Sequence, residues 1–200
     1  MFRTSLAERS PEQRDNIQRA ATALDGAVLE PGEEWSFNRR VGPRTPERGY
    51  CKAPAFLEQD LTESVGGGIC QVSSTVYNAA ALAGLGIVER HPHQRRVQSV
   101  PPGRDATVWY GKADLRLVNR SGAPVRLSAR VEDEMLTVRF WGDDPGARSI
   151  RLQTYPVAAS LAGRRVFRTV RQVSVPGAGS QQETLSEDAY VTATGREARR

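Results

Sequence analysis

Three consecutive glycines, Gly66-Gly67-Gly68, stand directly before a stretch in which Ile69, Val72, Val76, Ala79, Ala80 and Ala83 recur at helical spacing. Glycine has no Cβ, so it tolerates positive φ angles and close backbone approach. The triplet therefore predicts a tight turn that delivers the chain into a buried helix starting at Cys70 or just before it. Gly84 and Gly86 end that helix. Ile87-Val88 begins a strand, and His91-Pro92-His93 follows.

The remaining pattern predicts an α+β fold with a mainly antiparallel sheet. Ser10-Pro11-Glu12-Gln13 is a helix start: Ser10 caps, Pro11 suits the first helical position and Gln13 completes a capping box. Ile17, Ala20, Ala21 and Leu24 then share one face of this N-terminal helix, and Gly26 is its stop. Residues 27–29, 34–37 and 53–57 read as short strands, with loop at 41–46. Residues 106–110 and 114–118 read as strands as well. Segments 125–131 and 135–141 alternate as an antiparallel pair, ended by Asp143-Asp144-Pro145-Gly146. Two more strands are expected at 150–155 and 165–175, then a flexible loop at 176–182. The 200 residues divide into a domain over 1–145 and a β-rich extension over 146–200.

The net charge of +5 comes from Arg, because Lys occurs only at Lys52 and Lys112. An Arg-rich surface can meet nucleic acid, anionic wall polymers or lipids. No basic run is interleaved with aromatics, so nucleic acid is not an expected partner and a solvated surface is the simpler account. Arg196, Arg199 and Arg200 look like a frayed tail. The first eight residues lack an apolar signal region, and no stretch approaches membrane-spanning length. The expectation is a soluble chain without an export signal, or one domain of a longer parent. Cys51 and Cys70 permit one disulfide but no disulfide framework.

Cys70 is the residue whose position suggests chemistry. A helix N-terminus presents free N–H groups and the positive end of the dipole, which favours thiolate and can bind an oxyanion. His91 and His93 are the only histidines, 21 and 23 residues further on. A strand running back along the helix would bring them beside Cys70. Asp105, with Asp114 next in line, could orient a histidine base, and Cys, His and Asp form a workable acyl-transfer set. Each residue also has a plainer role: a small buried Cys, a polar His-Pro-His turn, an Asx turn at Asp105. Cys51, Cys70, His91 and His93 carry zinc-type donors, but lack the close Cys pairs of structural zinc sites, so no metal is expected. The glycine run lacks the Lys and Ser/Thr of a nucleotide P-loop.

Together the motifs resemble the VanW family. Pro31-Gly32-Glu33-Glu34-Trp35-Ser36-Phe37-Asn38 with Val41-Gly42-Pro43 resembles its opening motif, and Gly66-Gly67-Gly68-Ile69-Cys70-Gln71-Val72-Ser73-Ser74-Thr75-Val76-Tyr77-Asn78-Ala79-Ala80 its central signature. Arg90-His91-Pro92-His93 with 100–108 is similar to the third block, and Asp114-Leu115 with Asn119 to the fourth. Gln94, Arg96 and Ser99 stand where the family more usually has Ser, Pro and Tyr. The resemblance implies a cell-envelope role, with peptidoglycan or another wall component as partner and no cofactor. The order Gly68-Ile69-Cys70, Ala83-Gly84-Leu85, His93, Asp105 also resembles the transglutaminase-like order, which implies a thioester with an acyl donor.

The resulting expectation is a VanW-like domain in which Cys70 is the nucleophile, His93 the base and Asp105 its orienter, acting on peptidoglycan peptide. Gly67, Gly68, Gln71, Ser73, Ser74 and His91 would line the binding groove, and amides around Cys70 and Gln71 would hold the oxyanion. The rival expectation is a wall-associated binding domain without catalysis.

Overall fold

The computed structural model describes residues 1–57, 60–143, 148–157 and 163–191. The Arg196, Arg199 and Arg200 tail and the Asp144-Pro145-Gly146 turn lie outside the described residues. The fold is α+β, and every strand pair is antiparallel.

Helix α1 (Pro11–Leu24) begins as its sequence dictates: Ser10 Oγ accepts from the Gln13 N–H, and Gln13 Oε1 accepts from the Ser10 N–H. Helix α3 (Ile69–Leu82) is buried along nearly its whole length. Both helices pack on a four-stranded sheet ordered β1 (Phe2–Ser5), β9 (Met135–Gly142), β8 (Val125–Glu132), β2 (Val28–Leu29). Alternation along β8 and β9 sends Leu127, Ala129, Leu136 and Val138 inward, against Ile17, Leu24, Val72 and Val76. Each fully buried aliphatic side chain of this kind contributes about 1.5–3 kcal/mol relative to exposure.

A second sheet runs β3 (Glu34–Ser36), β7 (Arg116–Val118), β6 (Gly86–Glu89). The chain leaving β6 makes a long excursion over 90–115 before returning as β7. A two-stranded arm, β4 (Lys52–Leu57) and β5 (Asp60–Val65), leads into the glycine triplet. The third sheet, β10 (Ser149–Pro156), β11 (Arg164–Val175) and β12 (Gly179–Val191), docks on the 90–105 excursion and on the C-terminal end of α3. Arg171 Nη1 donates to Leu85 O at 2.7 Å, and the Val191 N–H donates to Gln94 O at 2.9 Å.

Several expectations need correction. Phe37 is not strand: it opens the short helix α2 (Phe37–Val41), because Ser36 Oγ caps the Arg39 N–H at 3.0 Å. Strands β1 and β5 carry too little apolar alternation to be seen in advance. Residues 106–110 form no strand, only the isolated bridges His91↔Thr107 and Trp109↔Ala113. The cause is local: Ser73 and Ser74 hydroxyls take up the Ala106 carbonyl and N–H, at 2.6 and 2.9 Å, where a strand neighbour would pair. The loop expected at 176–182 is a three-residue turn, and residues 179–182 belong to β12, with Val175 opposite Gly179 and Gln172 opposite Gln182. That polar hairpin is held by its backbone ladder, which hydrophobic periodicity does not reveal.

Candidate functional site

The glycine triplet places the thiol. Gly66 and Gly68 take φ of +85° and +99°, in the left-handed region, and a Cβ on Gly67 would come within 2.5 Å of the Ala53 carbonyl oxygen. Asn16 straps this turn, donating from Nδ2 to Gly67 O and Cys51 O, both at 3.0 Å. Cys70 therefore enters in the first turn of α3 on a rigid support. The residue is half-buried, and the Val108 carbonyl lies 3.7 Å from its sulfur.

The 90–115 excursion brings His93 and Asp105 to the same place. Asp105 is 1% exposed and its carboxylate is saturated. Oδ2 accepts from the His93 N–H at 2.6 Å and pairs with His93 Nδ1 at 2.7 Å. Oδ1 accepts from the Tyr190 hydroxyl and from Arg90 Nη2. With Nδ1 committed to Asp105, Nε2 is the ring nitrogen left for the thiol.

The electrostatics couple the three groups. Burial works against a charged imidazole, but hydrogen bonds to Asp105 and to Cys70 outweigh it and push His93 up to about 9. Burial likewise pushes the Cys70 thiol up, yet the hydrogen bond and charge of His93, with the charge of Arg44, bring it net below the ordinary thiol range. Asp105 is pushed up by burial and brought net down by its bond from His93 and the charge of Arg90. The combination shifts the pair toward its thiolate–imidazolium form, titrating as a unit.

The residues expected to line a groove do something else. Ser73 and Ser74 are 0% and 1% exposed, and their hydroxyls anchor the Ala106 backbone to α3. Gln71 is buried, accepting from Arg9 Nε at 2.6 Å and donating to Ser5 O at 2.8 Å, so it ties β1 to the helix. Gly67 and Gly68 shape the turn. His91 turns outward, its ring nitrogen 2.9 Å from Glu89 Oε1, away from the Asp105 contact that holds His93. The Gln71 amide bonds Gly68 O at 3.0 Å, so it is not the oxyanion donor expected of it; the Cys70 amide is the remaining helix-entrance N–H at the thiol. Both cysteines are free, and among the described residues no group of three or more His, Cys, Asp or Glu is placed to hold a metal.

Three further residues complete the site. Arg90 donates from Nε to Asp105 O at 2.5 Å and from Nη1 to both Asp188 oxygens at 2.6 Å. Tyr190 receives the Gly103 N–H at 2.7 Å while donating to Asp105. Asp188 and Tyr190 lie on β12, 83 and 85 residues beyond Asp105. The only forewarning in the sequence was the position of Arg90 directly before His91.

The sequence profile of the family described as VanW like protein matches residues 12–141. YoaR of Bacillus subtilis (strain 168) is 44% identical over 151 residues, covering 76% of this chain and 49% of its own. The vancomycin B-type resistance protein VanW of Enterococcus faecalis (strain ATCC 700802 / V583) is 28% identical over 133 residues, 64% of this chain and 48% of its own. The chain thus spans about half the length of these relatives. No solved structure matches. No helix among the described residues is long and apolar enough to cross a membrane.

Proposed function

This chain belongs to the VanW-like protein family, and from that premise we propose that it is a cell-envelope domain that cleaves or transfers peptidoglycan peptides through a Cys70 thioester. One observation carries the reading: His93, which acts electrostatically on the Cys70 thiol, pairs through Nδ1 at 2.7 Å with a buried, fully bonded Asp105. Residues 1–145 would form the VanW-like domain, with 146–200 as its extension.

The Cys70 thiolate attacks a peptide carbonyl carbon, forming the C–S bond and placing the charge on oxygen beside the Cys70 amide. Collapse of that intermediate breaks the C–N bond, and the leaving amine takes its proton from His93 Nε2. Water, or a second amine, then attacks the thioester and returns a proton to His93 as the thiolate leaves. Asp105 stays ionised throughout, holding the imidazole in one orientation.

Trp109 and Tyr110, 46% and 50% exposed, follow Val108 at the thiol and offer flat apolar surface to a ligand. With an inert thiol that surface would suit a binding domain instead. Incubation with purified peptidoglycan fragments, followed by mass spectrometry, separates the two. Cys70→Ala should lower release or transfer of peptide by at least ~10³-fold. Undiminished turnover in that variant would exclude the cysteine mechanism, and binding without turnover in the wild type would favour the rival.

A further inference from the structure

We infer that Arg44 is the recognition residue of this site, its guanidinium holding a carboxylate carried by the group presented to Cys70. The inference rests on the reading of Cys70 as a nucleophile and adds the chemical class of what reaches it.

Arg44 is aimed by its neighbours. Nη1 donates to Asn38 Oδ1 at 2.8 Å and to Gly42 O at 3.0 Å. Asn38 is itself fixed, its Nδ2 donating to Ala113 O at 2.8 Å. The stem lies on the first glycine of the triplet: a Cβ on Gly66 would sit 2.9 Å from Arg44 Cβ. Gly66 thus lets this side chain reach the turn that holds Cys70, four residues on. The guanidinium carbon is 5.9 Å from the centre of the Tyr110 ring, and Tyr110 stands two residues past the Val108 carbonyl that touches the thiol. Arg44 is bracketed by the two segments that bracket the sulfur, and its charge acts directly on Cys70.

The charge is ion-paired with no carboxylate among the described residues; the Cys70 thiolate is the anion that acts on it most. Asp114 lies near it, but Oδ2 accepts from Ser36 Oγ at 2.5 Å, and Oδ1 accepts from the Asn38 and Leu115 N–H groups at 2.9 and 2.8 Å. The guanidinium of Arg90, whose side chain is only 5% exposed, is by contrast neutralised by two carboxylates. A half-buried, rigidly held cation without a carboxylate partner is costly in isolation and is relieved by an incoming anion. Nη1 is engaged by the protein, so Nε and Nη2 remain, the edge of the guanidinium that matches a planar carboxylate with two parallel hydrogen bonds.

The test is alkylation of Cys70 in a Cys51→Ser background with two reagents that differ mainly in charge, iodoacetate and iodoacetamide. In both, the thiolate sulfur forms a C–S bond as iodide leaves, so the ratio of rates cancels the intrinsic reactivity of the thiol. The protein should prefer iodoacetate over iodoacetamide, and added salt should reduce that preference. Arg44→Gln should lower the ratio by about 10-fold, equivalent to one good charge contact, while Arg44→Lys retains part of it. A ratio in the unsubstituted Arg44 protein no higher than that of a small free thiol, or one that Arg44→Gln leaves within about twofold, overturns the inference while leaving the nucleophile intact. A Cys70 inert to both reagents overturns the nucleophile reading, and this inference with it.

Discussion

The entrance of α3 and the C-terminal sheet both hold the site, but in different ways. At the entrance everything is local: Gly66, Gly67 and Gly68 shape the turn, and Cys70 follows within one helical turn. Ser73 and Ser74, on the next turn, reach across and fasten the backbone beside Asp105. The sheet acts indirectly. Its Tyr190 and Asp188 act on Asp105 and Arg90, which act on His93, which acts on the thiol. One region therefore positions the Cys70 thiol and the other sets the charge state and orientation of His93. The profile match ends at residue 141, so the second task falls to a segment outside it.

The contrast can be broken most severely at the residue where the two regions meet. Asp105→Asn keeps the shape but removes the charge that holds the His93 proton and orientation. Turnover should fall by about 10²–10⁴-fold, and the pH at which Cys70 becomes alkylatable should rise. A variant that alkylates with the wild-type pH profile would mean that Asp105 is only a structural anchor.

A smaller effect should come from the sheet. Tyr190→Phe removes one donor to Asp105 and the acceptor of the Gly103 N–H, and leaves the ring packed beside Phe167. The lost bond, to a charged acceptor, is worth about 1.5–3 kcal/mol. Turnover should drop by roughly 10-fold with KM nearly unchanged, and the alkylation profile should shift opposite to that of Asp105→Asn and by less, because a carboxylate freed of the Tyr190 donor holds the His93 proton more strongly. A rise in KM alone would place Tyr190 in substrate binding instead.

The smallest effect is on stability. His93 is raised from 6.5 to about 9, so its paired, protonated form contributes stability that is complete below pH 6.5 and is lost as pH rises toward about 9. Urea denaturation from pH 6 to 10 should show this decline, and His93→Gln should flatten it. Asp105, held below its ordinary value, acts at the other end: its contribution is present above pH 3.8 and disappears as pH falls further.

Much of the fold was legible in the sequence wherever one short stretch carried its own instructions. The capping box at Ser10 and Gln13 sets α1, the glycine triplet and apolar stripe set α3, and alternation sets β8 and β9. The trio Cys70, His93 and Asp105 could be named because their order and the helix start suggested a chemistry. Segment 106–110 misled because its alternation is satisfied by serine hydroxyls of a helix rather than by a neighbouring strand. Ser73 and Ser74 looked like groove residues for the same reason: polarity in a helix does not reveal which way it faces.

By itself, then, the sequence determined the family, the helix entrance and the identity of the candidate nucleophile. These depend on steric freedom, periodicity and capping, which act over a few residues. Only the tertiary structure decided that His91 turns away to Glu89, that Arg44 reaches toward the thiol, and that Tyr190 closes the carboxylate from a distant strand. Those contacts join residues that no local pattern links. They arise because a buried carboxylate must have every lone pair satisfied, whichever part of the chain supplies the donor.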